Sequence, residues 1–469
     1  MRRPTAALLV LTTAISACGL LTPDELSQSD RGDVVSGFVE GPGIEVCFGD
    51  QRIVSASQSK DGPLSLCLGS AMSAKACEGD TSCASGERCV CGRCTTRPCR
   101  TATECEGREV CRSNRCAAAC TGEQDCGPGE ICNSGGCARP CSSDEACAFG
   151  EKCSAFDGTC AVKLCSATVS CSGDDVCVEQ ERVADLREPH LVRTGAEVVG
   201  FVELREGVTH ECAVYRVRID SPRRWVVDPP TAVLEPLSED GGCVGAPSVL
   251  LEDGAWTLYA SRGDGSGIVR AQSVDGSIFS RDAAPVLVPS EPWEKGRVAS
   301  PAIVRWHGES IMAYEGGPGA GIGLARIDAE GRMTRLTTGA WLTPADFEDP
   351  VMWRYIERIG SPFVVERDGA LLVYLTVRGM EGSDAVTGTT GGYPADPNDS
   401  IGLVATRDLV EVERFVSGPV FARRTNLRAY LGEAEPSVLL QSSGSWLVFA
   451  ASDASGRQRT GLGLATAGL

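Results

Sequence analysis

Cysteine is the residue type with the widest chemical reach in this chain, with 25 among 469 residues. A thiol can oxidise to a disulfide, ligate zinc or carry a lipid. Twenty of the cysteines lie between Cys77 and Cys177, and their spacing repeats. Cys99-x5-Cys105-x5-Cys111-x4-Cys116 is followed by Cys120-x5-Cys126-x5-Cys132-x4-Cys137, then by Cys141-x5-Cys147-x5-Cys153-x6-Cys160. A first unit, Cys77-x5-Cys83-x5-Cys89, carries the additional Cys91 and Cys94, and a shorter last unit is Cys165-x5-Cys171-x5-Cys177. Zinc ligands sit closer together, and only Cys89-x-Cys91-x2-Cys94 approaches that spacing. A unit of this size cannot bury a core of its own, so cross-links must restrict it. The pattern therefore predicts disulfides, an oxidising compartment, and neither metal nor cofactor. Upstream, Cys47 and Cys67 are expected to close a small β unit over 34–70. Downstream, Cys212 and Cys243 are expected to pair with each other.

The remaining cysteine, Cys18, ends a different pattern. Arg2 and Arg3 precede a short apolar run, Ala6 to Ile15, and the sequence closes as Ile15-Ser16-Ala17-Cys18. The run is too short to span a bilayer and has the layout of an export signal. Small residues before a cysteine resemble a bacterial lipobox, which implies lipidation at Cys18 and an anchored envelope protein, with Gly19 fitting transport to an outer membrane. Residues 19–33 are polar and suit a tether. The cysteine units over 71–180 resemble cysteine-rich repeats of secreted modules and of myxobacterial-type lipoproteins. That resemblance implies a rigid stalk or an interaction surface. The formal net charge of −19 excludes a generally basic nucleic-acid binder.

From residue 186 to 469 the cysteines nearly stop and a second repeat begins. Its copies start Glu188-Pro189-His190, Ala246-Pro247-Ser248, Ser300-Pro301-Ala302, Ser361-Pro362-Phe363 and Glu435-Pro436-Ser437. Each proline is followed 12 or 13 residues later by an aromatic: Phe201, Tyr259, Tyr314, Tyr374 or Phe449. A third element carries a central glycine in Ile322-Gly323-Leu324 and Leu462-Gly463-Leu464. Proline is tolerated at a strand start, a turn follows, and the aromatic packs between sheets. Five such copies predict an all-β fold, a five-bladed β-propeller.

This layout resembles the propeller glycoside hydrolases of the arabinanase, xylosidase and invertase kind. The resemblance implies that residues before the prolines face a central funnel and that carboxyl groups from several blades act there. One carboxyl protonates the leaving oxygen, and another activates water or attacks the sugar. Carried over, it assigns Glu188 in blade 1, while Ala246, Ser300 and Ser361 stand where blades 2, 3 and 4 would supply their residues, and Glu435 arrives in blade 5. Glu315 and Asp349 are further candidate catalytic carboxylates. Arg187, His190, Arg297, Ser300, Ser361, Arg378 and Glu433 are candidate binding residues. His190, two residues after Glu188, is expected on the same strand face. The long insertion 379–400 is a candidate binding loop. The missing carboxylates in blades 2 and 3 favour a propeller that binds a glycan or an envelope protein over one that cleaves a polysaccharide.

Overall fold

The structure, a computed structural model, describes residues 38–467 apart from 55–64, 348–355, 380–398, 415–431, 453–458 and shorter stretches elsewhere. The repeat folds as five antiparallel sheets. The first comprises Glu181–Thr194, Glu197–Glu206, Cys212–Ser221 and Arg224–Val227. The second runs through Val244–Glu252, Ala255–Arg262, Ile268–Ser273 and Ser280–Arg281. The third holds Ala299–Trp306, Glu309–Glu315, Ile322–Ile327 and Met333–Arg335. The fourth holds Ile356–Arg367, Ala370–Gly379, Asp399–Thr406 and Val412–Arg414, and the fifth begins with Gly432–Leu439, Ser445–Ser452 and Arg459–Ala467. The first-named strand of each sheet packs beside the corresponding strands of the sheets before and after it, and the fifth returns to the first. The molecule is thus all-β with a propeller arrangement, and each of five apolar layers lies between two consecutive sheets.

The aromatics obey the period of two along a strand. In sheets one, two and four they follow the proline by 12 residues and stand opposite the residue after it, as His190↔Phe201, Ser248↔Tyr259 and Phe363↔Tyr374. In sheets three and five the spacing is 13. Ala313 and Val448 take that register, and Tyr314 and Phe449 turn to the other face. Tyr259 and Tyr314 consequently share the layer between sheets two and three, and Tyr374 and Phe449 share that between four and five. The third-strand glycines make room for the displaced rings. A Cβ at Gly323 would stand 2.6 Å from Tyr314 Cζ, and one at Gly463 would stand 2.2 Å from Phe449 Cε2.

The segment expected as a separate β unit over 34–70 is distributed over three bodies. Phe38–Glu40 pairs with Arg459–Ala467 and becomes the outer strand of the fifth sheet. The hairpin Glu45–Phe48/Gln51–Val54 lies parallel to Arg224–Val227 on one side and to Glu181–Val183 on the other, closing the first sheet into a six-stranded barrel. Ser65–Gly69 pairs with Leu164–Cys165 and Asp175–Glu179 at the end of the cysteine-rich segment.

The expected Cys47–Cys67 bridge is corrected for the same reason, since its two cysteines belong to different sheets. Cys47 bonds Cys91 with Cα atoms 5.4 Å apart, and Cys67 bonds Cys171 at 5.5 Å. Cys212–Cys243 forms as expected. Within the three four-cysteine units the first cysteine joins the third and the second joins the fourth, as in Cys99–Cys111 with Cys105–Cys116, and in the first unit Cys77 joins Cys89 and Cys83 joins Cys94. The units fold back on one another and do not extend as a stalk: buried Arg115 reaches Glu151 at 3.1 Å, and Asn114 Nδ2 donates to the Val162 carbonyl at 3.0 Å. Arg100 and Arg52 both meet buried Glu181 at the start of the first sheet, at 3.3 and 2.6 Å.

Mass spectrometry of a non-reducing digest should recover Cys47 linked to Cys91 and Cys67 linked to Cys171. A peptide joining Cys47 to Cys67 would contradict this arrangement of the N-terminal strands.

Candidate functional site

The residue before each proline has a positive φ: 44° at Glu188, 48° at Ala246, 45° at Ser300, 42° at Ser361 and 56° at Glu435. A residue before proline favours extended backbone, and a left-handed non-glycine residue is strained by roughly 1–3 kcal/mol. Each of these positions is also a β-bulge. The register skips from Arg187 to His190, Gly245 to Ser248, Ala299 to Ala302, Gly360 to Phe363 and Ala434 to Ser437. An extra residue here removes the strand's alternation and re-aims the side chain.

All five strained N–H groups are capped by a side chain from the preceding sheet. Glu203 Oε2 accepts from Ala246 at 3.1 Å, Ser261 Oγ from Ser300 at 2.7 Å, Glu315 Oε2 from Ser361 at 2.9 Å and Thr376 Oγ1 from Glu435 at 2.8 Å. These four acceptors occupy one register position, opposite the residue that precedes the bulge. In the fifth sheet that position is Ala450, which has no acceptor in its side chain. Glu435 takes over, and its Oε2 accepts the Glu188 N–H at 2.8 Å.

The bulges bring together Glu188, Ser300, Ser361, Glu435 and Glu315 from four of the five sheets. Glu188 Oε1 accepts from Ser361 Oγ at 2.9 Å and from Ser300 Oγ at 3.4 Å. Burial and then the Glu435 and Glu203 carboxylates push the Glu188 carboxyl well above its ordinary value, against the Ser361 hydrogen bond. Burial also raises Glu315, opposed by the Ser361 N–H and by Arg358 and Arg297. Arg187 Nε lies 3.8 Å from Glu435 Oε1.

His190 does not join this group, because the bulge between it and Glu188 breaks the expected alternation. Its Nε2 lies 3.1 Å from the Val249 carbonyl, which can only accept, so the ring carries its proton there. Its centroid is 5.3 Å from that of Phe363. Burial lowers His190 to about 4, so it is neutral at physiological pH. Next to it, Ser437 Oγ accepts from Leu191 N–H at 3.0 Å and Ser248 Oγ from Ile303 N–H at 2.9 Å. The residues after the prolines thus tie sheets together.

Arg378 forms a two-pronged pair with buried Asp399 at 2.6 and 2.7 Å, across the base of the 379–400 insertion. Asp349 and most of that insertion lie outside the described residues, as does the side chain of Glu433. Cys18 lies outside them too. Sequence reasoning missed Glu203, Ser261 and Thr376. Their signal was available: each stands two residues after its sheet's aromatic and carries an oxygen.

No family model matches the chain, and no curated protein matches it. Solved structures do. A glycoside hydrolase is 13% identical with a TM-score of 0.46, covering 61% of this chain and 88% of its own. An exo-1,5-α-L-arabinanase from a bovine ruminal metagenomic library is 14% identical with a TM-score of 0.42, covering 60% and 92%. An α-L-arabinanase of Cellvibrio cellulosa, solved with arabinohexaose, is 15% identical with a TM-score of 0.42, covering 61% and 92%.

Because folded Glu188 holds its proton more tightly than the unfolded chain does, its stabilising term is full below the ordinary carboxyl pKa. That term is lost as pH rises toward the raised value. Glu188→Gln keeps an acceptor for the two serines. It should raise Tm over the parent at pH 8, by about 2–4 °C per kcal/mol of relieved repulsion, and change it little at pH 4. Thermal scans giving equal shifts at both pH values would count against the raised carboxyl.

Proposed function

We propose that the propeller is a non-catalytic glycan-binding module in a lipid-anchored envelope protein. The capping pattern is the observation that carries the non-catalytic part. Glu315 occupies the register position that Ser261 and Thr376 fill elsewhere, and Glu435 substitutes for an acceptor that the fifth sheet lacks. Both acids therefore have a structural duty shared with residues that cannot transfer protons in this role. Ala246 and Ser300 stand at the bulges of sheets two and three, where a hydrolase of this layout would use carboxyl groups, and Ser300 and Ser361 both donate to Glu188. The cluster of hydroxyl, carboxyl and guanidinium groups at the ring's axis suits sugar hydroxyls. Resemblance to arabinanase-like propellers, marked in the strand-start motifs, points to the same ligand class.

The second reading is a glycoside hydrolase with a rearranged carboxyl set. It is favoured by the convergence of Glu188, Glu315 and Glu435 on one site and by the raised Glu188 carboxyl, which suits a general acid.

Both readings meet one experiment on the full chain. It is run against arabinan, xylan, fructan and envelope glycans, with affinity electrophoresis for binding and reducing-end release for cleavage. Retardation by a glycan without release is expected. Release that disappears in Glu188→Gln would establish the hydrolase instead.

Anchoring rests on Arg2, Arg3, the apolar run and the Ile15-Ser16-Ala17-Cys18 sequence. Cys18→Ser should move the protein from the membrane fraction to the soluble fraction and abolish labelling by a clickable fatty acid. Unchanged fractionation and labelling would refute lipidation at this cysteine.

A further inference from the structure

Resting on the glycan-binding reading, we infer that the ligand is an acidic glycan whose uronate carboxylates are received by Arg187, Arg297 and Arg358. The three arginines stand one or three residues before the bulges of sheets one, three and four, on the same side of the bulge layer. They approach the site from its acids: Arg187 lies 3.8 Å from Glu435, while Arg297 and Arg358 both act electrostatically on Glu315.

Charged neighbours surround them, as Glu435, Glu203, Glu188 and Asp185 surround Arg187, but among the described residues their hydrogen-bonding capacity is uncommitted. Among the described residues none of the three guanidinium groups makes a hydrogen bond, and the Nε atoms of Arg187 and Arg297 are buried without an acceptor. The Nε atoms of Arg115, Arg216 and Arg224 lack an acceptor too, but those arginines bond through a terminal nitrogen, whereas Arg187 and Arg297 do not, a departure that needs a cause because buried donors are ordinarily paired. The nearby acids come close without a hydrogen bond to these arginines: Glu435 Oε1 stands 3.8 Å from Arg187, while Glu435 Oε2 and Glu315 Oε2 accept from main-chain N–H groups and Glu188 receives two serine hydroxyls. Elsewhere in the molecule arginines beside buried acids do form forked pairs, as Arg281 does with Asp240 and Arg378 with Asp399.

Two further features point to an anion. Arg358 stands directly across the strand pair from Arg378. Like charges so placed repel, and among the described residues Arg378 is hydrogen-bonded to a carboxylate, Asp399, whereas Arg358 has only the electrostatic influence of Glu315. Arg297 is held in place by a backbone feature. Its stem lies against Gly265, which has a φ of 72° and where a Cβ would stand 2.3 Å from Arg297 Cγ. A planar fork of donors matches a planar carboxylate through two parallel bonds, whereas a neutral sugar hydroxyl takes one. A uronate therefore satisfies donors that a neutral pentosan leaves open.

The test uses calorimetric titration of the full chain with four probes: oligogalacturonate, the same oligomer after carboxyl reduction, xylo-oligosaccharide and dextran sulfate. Oligogalacturonate should bind more tightly than the other three, and more weakly as salt rises. Arg297→Gln and Arg358→Gln should each weaken it about ten- to hundred-fold while leaving Tm close to the parent's. Equal binding before and after carboxyl reduction, or stronger binding of xylo-oligosaccharide, would overturn the inference and leave glycan binding standing. Dextran sulfate binding as tightly as the uronate would overturn it in favour of a general anion site. Absence of binding to every oligosaccharide would remove both this inference and the reading on which it rests.

Discussion

The ring depends on one interaction, the hydrogen bond from the main-chain N–H of the residue before each proline to a side chain of the preceding sheet. That residue is left-handed and strained, and its proline supplies no N–H of its own. Five such sites at roughly 1–3 kcal/mol each would be a serious burden if nothing held them. The caps hold them, and each one also joins two sheets. The strain and the closure of the ring are therefore parts of a single device. Its by-product is the site: the bulge that needs the cap is the same bulge that turns Glu188, Ser300 and Ser361 toward one another.

This dual use limits the chemistry. A carboxylate that accepts a main-chain N–H has one oxygen fixed in orientation, and that hydrogen bond opposes its protonation. Glu315 and Glu435 are in that position. Burial raises Glu315 despite its cap, and it raises Glu188 as well, where acidic neighbours add to the shift and the partners are hydroxyls. The arginines beside them contribute positive charge close to these acids, Arg187 lying 3.8 Å from Glu435.

The N-terminal segment and the cysteine-rich segment belong to the same closure problem. Strand Phe38–Glu40 covers the outer edge of the fifth sheet, and the hairpin that follows seals the first. An uncovered edge is a pairing hazard, so both additions protect the ring. The cysteine-rich units lie between these strands and the first sheet in chain order, and Cys47–Cys91 and Cys67–Cys171 pin them at both ends. They form a body folded back on itself, cross-linked where a core is too small to suffice.

The sequence alone determined what depends on short-range periodicity. The five X-Pro starts and the aromatics specify strands and sheets, and the cysteine spacing specifies cross-linked units, because each is set by alternation or by residues close in the chain; which cysteine joins which stayed open, since four allow three pairings. It even contained the clue that the Cys47–Cys67 expectation overlooked. The first cysteine unit has five members and the last has three, so each must pair outside itself. The choice between partners was tertiary, since it depends on which strand lies beside which. So did the fate of His190, whose placement by alternation fails across a bulge that only packed neighbours stabilise. The caps Glu203, Ser261 and Thr376 lie 39 to 59 residues from the groups they bind. Proximity of that kind arises only when the ring closes, which is why the duties of the acids at its axis were decided by the tertiary structure.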